Sequence, residues 1–210
     1  MRYSTRFVAA AALSAALTLL TGCEDRPAAG SGAEIVDGKA SGGSGNHEAP
    51  AVDPGQAEDG EAAPGTRDNP LEPGTKIKVG DWTVAVTDVT LDATDRVLKE
   101  NEFNEPPAKG RQLVMFTVQA TYEGNDSGTA IVDFRWAIVG GKGNTFGTGA
   151  EDYCGVIPKP LDETGETFPG GTVTGNVCIS VPTEQLDGAT ILVEPTFSLR
   201  EGRTFYALKE

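Results

Sequence analysis

Few side chains in the second part of this 210-residue chain are suited to catalysis. The single histidine, His47, lies in a stretch rich in Gly, Ala and acidic residues, so no imidazole is present beyond residue 75. A serine nucleophile normally needs a neighbouring base, and Ser127, Ser180 and Ser198 belong to no recognisable motif. Carboxylates are abundant, but an acidic exterior also keeps a domain soluble. The sequence therefore favours a non-catalytic protein without a cofactor.

One loop combines acidic side chains with an exposed aromatic residue. It runs from Asp92 to Lys109 and includes Pro106-Pro107. Oxygen ligands clustered in a loop hold calcium in many proteins, although these residues lack EF-hand spacing. Loops on a rigid scaffold are also where contact residues collect, so both a calcium or small-ligand site and a contact surface stay open. The residues of this candidate binding loop are Asp92, Asp95, Glu100, Glu102, Phe103 and Glu105.

The first 22 residues have the three parts of an export signal. Arg2 and Arg6 supply positive charge, the apolar run from Phe7 to Leu20 follows, and small residues close the segment. The apolar run is shorter than the roughly 20 residues that a transmembrane helix needs. Residues 1–22 are therefore predicted to be a removable signal peptide.

The tetrapeptide Leu20-Thr21-Gly22-Cys23 resembles the lipobox that bacterial lipoprotein signal peptidases recognise. The resemblance implies that the thiol of Cys23 is joined to diacylglycerol and that Cys23 becomes the first mature residue. Two acyl chains anchor a protein durably, because each buried methylene contributes about 0.8 kcal/mol. We therefore expect a lipid-anchored protein on the extracytoplasmic face of the cell membrane. An ordinary signal peptide with a chance cysteine is the alternative.

Residues 23–74 consist mainly of Ala, Gly, Pro, Ser, Glu and Asp. Such a stretch buries too little apolar surface to offset the entropy lost on ordering. It is predicted to be a disordered linker. As a Gly-rich coil its root-mean-square span is roughly 40 Å, enough to lift a domain away from the membrane.

From residue 75 onward the chain is rich in Val, Ile, Thr, Phe and Trp, punctuated by Gly and Pro, as short strands require. A hairpin turn is predicted at Gly80-Asp81 and a β-bulge near Thr87 or Asp88. No amphipathic helix is predicted, so half-apolar strands must pack sheet against sheet. The predicted strands are Lys76–Val79, Trp82–Leu91, Arg111–Tyr122, Ala130–Ile138, Thr172–Val181, Ala189–Glu194, Phe197–Leu199 and Thr204–Leu208.

Cys154 and Cys178 are the only cysteines left once Cys23 is lipidated, and an exported domain favours a disulfide between them. Cys178 has the strand parity of Asn176 and Ser180, so its sulfur is predicted on the polar face, as a surface staple. Closing such a loop contributes roughly 3 kcal/mol. A metal or redox pair is the alternative, although the spacing is far from Cys-x-x-Cys and no histidine is nearby.

Three runs, GTKIKVGDWTVAVTDV, NEFNEPPAKGRQLVMFTVQATY and PGGTVTGNVCISVP, resemble a family of immunoglobulin-like domains of unknown function in exported lipoproteins of Gram-positive bacteria. The resemblance covers residues 74 to 210. It implies an all-β fold, an immunoglobulin-like antiparallel β-sandwich of about seven to eight strands over residues 75–210, and it supplies no catalytic residues. At one turn this chain reads Glu123-Gly124-Asn125-Asp126 where the family has an Asn-x-Gly-like sequence.

The formal net charge of -14 argues against nucleic acid, which demands a basic surface. The tether and the lack of catalytic groups favour a membrane-anchored, non-catalytic binding module with a protein or cell-wall partner. A small-ligand or calcium-binding carrier or sensor is the alternative function.

Overall fold

The computed structural model describes residues 34–36, 62–149, 152–198 and 202–209. The signal peptide, Cys23 and His47 lie outside these ranges. None of the helices within them has the length and apolarity that crossing a membrane requires. The elements are β1 (Glu34–Ile35), β2 (Ile77–Val79), β3 (Trp82–Thr90), α1 (Thr94–Glu100), β4 (Arg111–Tyr122), α2 (Ala130–Asp133), β5 (Phe134–Val139), β6 (Thr145–Gly147), β7 (Thr172–Pro182), β8 (Thr190–Pro195) and β9 (Thr204–Ala207).

Two antiparallel sheets form the domain, with strand orders β1-β2-β3-β4-β7 and β6-β5-β8-β9. The chain changes sheet after β4, after β6 and again after β7, so that β7 pairs with β4 and β8 pairs with β5. This Greek-key path is the connectivity of an immunoglobulin-like sandwich. The predicted fold class is therefore confirmed. Two very short strands, β1 and β6, were not among the predicted strands.

The core between the sheets is built from alternate residues of the long strands, as the sequence pattern predicts. Five aromatic residues lie at its centre. Ring centroids are 4.9 Å apart for Trp82 and Tyr122, 5.8 Å for Trp82 and Phe134, and 5.9 Å for Trp136 with both Phe116 and Phe134. Such tilted or edge contacts add about 0.5–1.5 kcal/mol each beyond burial. They lock the two sheets together.

The predicted hairpin and bulge of the first strands are confirmed. Gly80 has φ 57°, which the tight turn between β2 and β3 requires. The register of β3 against β4 shifts between Thr87 and Thr90, and Asp88 within the shift has φ 46°. The bulge inserts one extra residue into β3, so the side chain of Val89 faces the main core.

The predicted strand starting at Ala130 is wrong in its first four residues, which form α2. Asp133 explains the helix, because its Oδ2 accepts hydrogen bonds from the Thr129 amide at 3.1 Å and from the Trp82 indole at 2.9 Å. Val132, predicted to face the core, is exposed. The alternating pattern does not reveal α2, because the indole that binds Asp133 belongs to Trp82 on β3.

Two short segments also differ from the predicted pattern. Phe197 and Ser198 lie in a turn and not in a strand. Thr145–Gly147 forms β6, which pairs with β5 although its glycine-rich surroundings favour a loop. A strand of three residues is too short to show a period of two.

Residues 62–74, assigned to the linker by composition, contact the sandwich. Leu71 is buried, and its amide donates to the Phe205 carbonyl at 2.8 Å. Tyr206 is fully buried and donates its hydroxyl to the Thr75 carbonyl at 2.9 Å, and burial raises the pKa of its phenol. The linker prediction is wrong for this stretch, because averaging the composition hides one apolar anchor among polar residues.

A second part of the predicted linker pairs with the edge of the five-stranded sheet. Glu34 lies opposite Lys78, and the amide of Val36 donates to the Lys76 carbonyl at 2.9 Å. Opposite charges that face each other across an antiparallel pair stabilise it modestly. The linker prediction is therefore also wrong at residues 34–36.

The outer face of the four-stranded sheet carries a cluster of charges. Glu194 lies on β8 and accepts hydrogen bonds from Arg135 and from Arg203, the latter at 2.6 Å. Burial raises the pKa of the Glu194 carboxyl, but the two guanidinium groups outweigh this effect and hold the pKa below its ordinary value. Both arginines are therefore engaged by a structural carboxylate.

Substituting Val36→Pro should release β1 from β2, because proline removes the donor to Lys76. Hydrogen bonds alternate along an antiparallel pair, so the Lys78 amide faces β1. We expect its hydrogen exchange, followed by NMR, to accelerate about tenfold or more. The free energy of unfolding should change by less than about 0.5 kcal/mol. The Val52→Pro variant is the control, and unchanged protection of Lys78 in the Val36→Pro variant would contradict the pairing.

Candidate functional site

The acidic loop after β3 folds back over the outer face of the five-stranded sheet. Its residues Thr94–Glu100 form α1, so the prediction that the chain has no amphipathic helix is wrong. Val97 is the buried residue of α1 and packs with Ala93, Leu113 and Met115 into a second, smaller core. A helix of two turns with one buried side chain leaves no detectable period in the sequence.

A disulfide between Cys154 and Cys178 completes this second core, with a Cα–Cα distance of 6.0 Å. The predicted pairing is confirmed. Cys178 also lies on the face of β7 that points away from the main core, as its parity predicts. The two residues are only 5% and 8% exposed, however, so the prediction of a surface staple is wrong. The bond is buried beneath the layer that α1 and the loop containing Cys154 form.

Asn104 joins the acidic loop to the loop that carries the disulfide. Its Nδ2 donates to the carbonyls of Val97 and Val156, at 2.7 Å in each case. Its Oδ1 accepts from the Val156 amide at 2.8 Å. The side-chain amide thus copies the paired hydrogen bonds of a β-ladder. The two loops are held in fixed positions relative to each other.

Arg111 secures the far end of the disulfide loop. Its guanidinium pairs with Asp152 and donates to Ser180, to the hydroxyl at 2.9 Å and to the carbonyl at 2.6 Å. The second carboxylate oxygen of Asp152 accepts from the Gly147 amide at 3.1 Å. The guanidinium carbon also lies 5.9 Å from the ring centroid of Phe146. The Arg111 guanidinium therefore has a structural role, because its partners hold the disulfide loop against β7.

A cleft of about 480 Å³ lies between the two loops. Three large apolar side chains on its walls are exposed: Phe103 at 83%, Tyr153 at 64% and Val156 at 45%. Pro106 and Pro107 line the same cleft. A single exposed apolar residue is ordinary, but neighbouring ones mark interaction sites. These five residues define what we call the aromatic cleft.

The predicted acidic residues do not converge. Asp92 is exposed, and its Oδ1 accepts from the Thr94 amide at 3.1 Å. Hydrogen bonds from the side chain and the backbone of Thr94 lower the pKa of Asp92. Glu105 lines the aromatic cleft. Across the described ranges, no three His, Cys, Asp or Glu side chains lie together as a metal site would require. Asp95, Glu100 and Glu102 are exposed.

Sequence reasoning identified Phe103 but missed Tyr153 and Val156. These two residues come from a distant loop, in a stretch without strand or helix periodicity. The sequence did contain one signal for the position of this loop. Cys154 lies between Tyr153 and Val156, and a disulfide to Cys178 must bring the loop close to β7.

The comparisons with known proteins concern the fold alone. No family model and no curated protein matches the chain. An uncharacterized β-sandwich protein from Clostridium difficile is 12% identical with a TM-score of 0.43, covering 74% of this chain and 99% of that chain. A conserved hypothetical protein from Bacillus anthracis is 13% identical with a TM-score of 0.41, covering 65% and 95%. The yjhA protein from Bacillus subtilis is 13% identical with a TM-score of 0.40, covering 66% and 99%.

Removing the disulfide with Cys154→Ala and Cys178→Ala together should lower the free energy of unfolding by roughly 3 kcal/mol, because the unfolded chain gains freedom. Urea unfolding of residues 23–210 measures this, with Cys23→Ser in both proteins so that the third cysteine does not interfere. The parent protein treated with a reductant should show the same loss. An unchanged unfolding midpoint would show that the bond adds no stability.

Proposed function

We propose that this chain is a lipoprotein anchored by Cys23 to the extracytoplasmic face of the cell membrane, with its sandwich serving as a non-catalytic binding module. The order of basic residues, apolar run and lipobox-like tetrapeptide supports the anchor. The buried disulfide between Cys154 and Cys178 suits an oxidising compartment. Cys23 lies outside the described residues, so the anchor is inferred from the sequence.

The aromatic cleft is the proposed binding surface. The observation that carries this proposal is the exposure of Phe103, Tyr153 and Val156 around one cleft whose loops are locked together. Aromatic side chains dominate binding energy at protein interfaces. Loops held by a disulfide and by Asn104 lose little conformational entropy on binding. A protein segment or a wall component with an apolar face is the expected partner.

The contact surface has more support than the calcium alternative. Calcium takes six to eight oxygen ligands, whereas no three acidic side chains of the described residues lie together as a metal site and Asp92 is engaged with Thr94. Phe103, in contrast, is 83% exposed and belongs to neither the main core nor the second, smaller core.

Lipidation can be tested in cells by comparing the chain with its Cys23→Ser variant. We expect the wild-type protein in the membrane fraction, with mass spectrometry showing diacylglycerol on an amino-terminal Cys23. The variant should lose this modification and its stable membrane attachment, because no acyl chains remain. An uncleaved, unmodified wild-type chain in the cytosol would contradict the anchor.

The aromatic cleft can be tested by measuring saturable binding of the mature Cys23→Ser protein to cell envelopes from the producing organism. Phe103→Ala and Tyr153→Ala should each weaken binding by about tenfold or more, as hot-spot truncations do. Phe168 and Phe197 are 62% and 89% exposed and do not line the cleft, so their alanine variants are matched controls.

Two results would contradict the proposed surface. In the first, the cleft variants and the control variants bind envelopes with the same affinity as the parent protein. In the second, the parent protein shows no saturable binding at all, which would count against a binding module of any kind.

A further inference from the structure

A second cleft lies on the outer face of the five-stranded sheet, beside the layer that covers the disulfide. Its volume is about 400 Å³. Residues of the β3 bulge, α1, β4, β7 and the connection before β7 meet there, and all are polar or glycine. We call it the polar cleft, and its lining residues are Asp88, Arg96, Thr117, Lys159, Thr174, Gly175 and Asn176.

The polar cleft holds two cations and one carboxylate. Arg96 donates to the Thr90 hydroxyl at 3.3 Å. In the described part of the chain, neither Arg96 nor Lys159 forms an ion pair with a carboxylate. Asp88 is the acidic residue of the cleft, and its carboxylate lies 3.3 Å from the Thr87 hydroxyl that donates to it. The formal charge of the cleft is therefore positive in a chain whose net charge is -14.

The backbone of the polar cleft is strained at two places. Within the described ranges, Asp88 and Lys159 are the non-glycine residues with positive φ, 46° in each case. Aspartate tolerates this conformation, but for most other side chains it costs roughly 1–2 kcal/mol. Strain of this kind concentrates at functional sites. A glycine at position 159 would avoid this cost.

Asn176 maintains the strained conformation of Lys159. Its main-chain N–H donates to the Lys159 carbonyl at 2.8 Å, and its side-chain Nδ2 donates to the Pro158 carbonyl at 2.5 Å. Its Oδ1 accepts from the Thr117 hydroxyl at 2.7 Å. Asn176 is 9% exposed, so these bonds are shielded from water. The rim of the cleft is therefore organised before any ligand arrives.

We propose that the polar cleft binds a phosphodiester group. A tetrahedral oxyanion accepts hydrogen bonds from guanidinium and ammonium groups at once, and Arg96 and Lys159 supply both kinds of donor. Thr174 also lines the cleft, and its hydroxyl adds a neutral donor.

The carboxylate of Asp88 selects the class of phosphate. Two cations and one anion complement the single negative charge of a diester. A monoester carries about -1.5 to -2 at pH 7, and the excess charge is repelled by Asp88. The polar cleft should therefore prefer a diester, in contrast to sites that use arginine and lysine without a carboxylate.

The test is an NMR titration of the isotope-labelled mature Cys23→Ser protein with glycerophosphoglycerol, a soluble diester, and with glycerol 3-phosphate, a monoester. We expect the diester to shift the amides of Lys159, Thr174 and Asn176 saturably, and to bind about fivefold or more tighter than the monoester. Vesicles of phosphatidylglycerol identify a lipid headgroup as the source if they bind the protein and the soluble diester does not.

Two variants keep the strained backbone while changing the charge, because asparagine tolerates positive φ. Lys159→Asn should weaken diester binding about tenfold or more, while Lys142→Asn, another exposed lysine outside the cleft, should leave it unchanged. Asp88→Asn should tighten monoester binding and abolish the preference for the diester.

The proposal is overturned if neither the soluble diester nor the phosphatidylglycerol vesicles shift these amides. It is equally overturned if Lys159→Asn and Lys142→Asn bind alike, or if diester and monoester bind the parent protein with equal affinity. These results are independent of the aromatic cleft, which contributes no lining residue to the polar cleft.

Discussion

The pairing of β4 with β7 places apolar residues on both faces of the five-stranded sheet, and the rest of the domain depends on this arrangement. The pair runs in continuous register from Arg111 opposite Pro182 to Thr121 opposite Thr172. Its inner face supplies the main core. Its outer face carries Leu113, Met115 and Cys178 at one end, and apolar groups there require a cover. The helix α1 and the disulfide loop provide that cover.

The cover explains why the candidate surfaces lie where they do. Segments that fold over a sheet leave clefts where they meet each other and where they end. The aromatic cleft lies where the acidic loop meets the disulfide loop, with Asn104 as the bond between them. The polar cleft lies where the first turn of α1, with Arg96, meets the polar half of the same face. A rigid sheet with loops fixed upon it combines a stable scaffold with accessible side chains.

Several arginines of the described residues are engaged by structural carboxylates. Arg111 is paired with Asp152, and Arg135 and Arg203 share Glu194. These partners are structural, and the guanidinium groups are held by charge-assisted hydrogen bonds. Arg96 and Lys159 line the polar cleft, and among the residues that the structure describes neither has a carboxylate within ion-pair distance. In an acidic protein such a place distinguishes an anion site from the general surface.

The sequence by itself determined the features that depend on neighbours along the chain. Alternation of side chains predicted β3, β4, β7 and β8 almost to the residue. Glycine chemistry predicted the turn at Gly80, and the change of apolar parity between Val86 and Val89 predicted the bulge near Asp88. The expectation of an exported domain with two remaining cysteines predicted the disulfide. Only the tertiary structure decided which residues meet across distance. It placed Tyr153 beside Phe103, buried the disulfide under α1, and joined residues 34–36 and 62–74 to the sandwich. These contacts leave no periodic trace, because a single residue such as Leu71 or Val97 makes each of them, and its partner is set by the path of the whole chain.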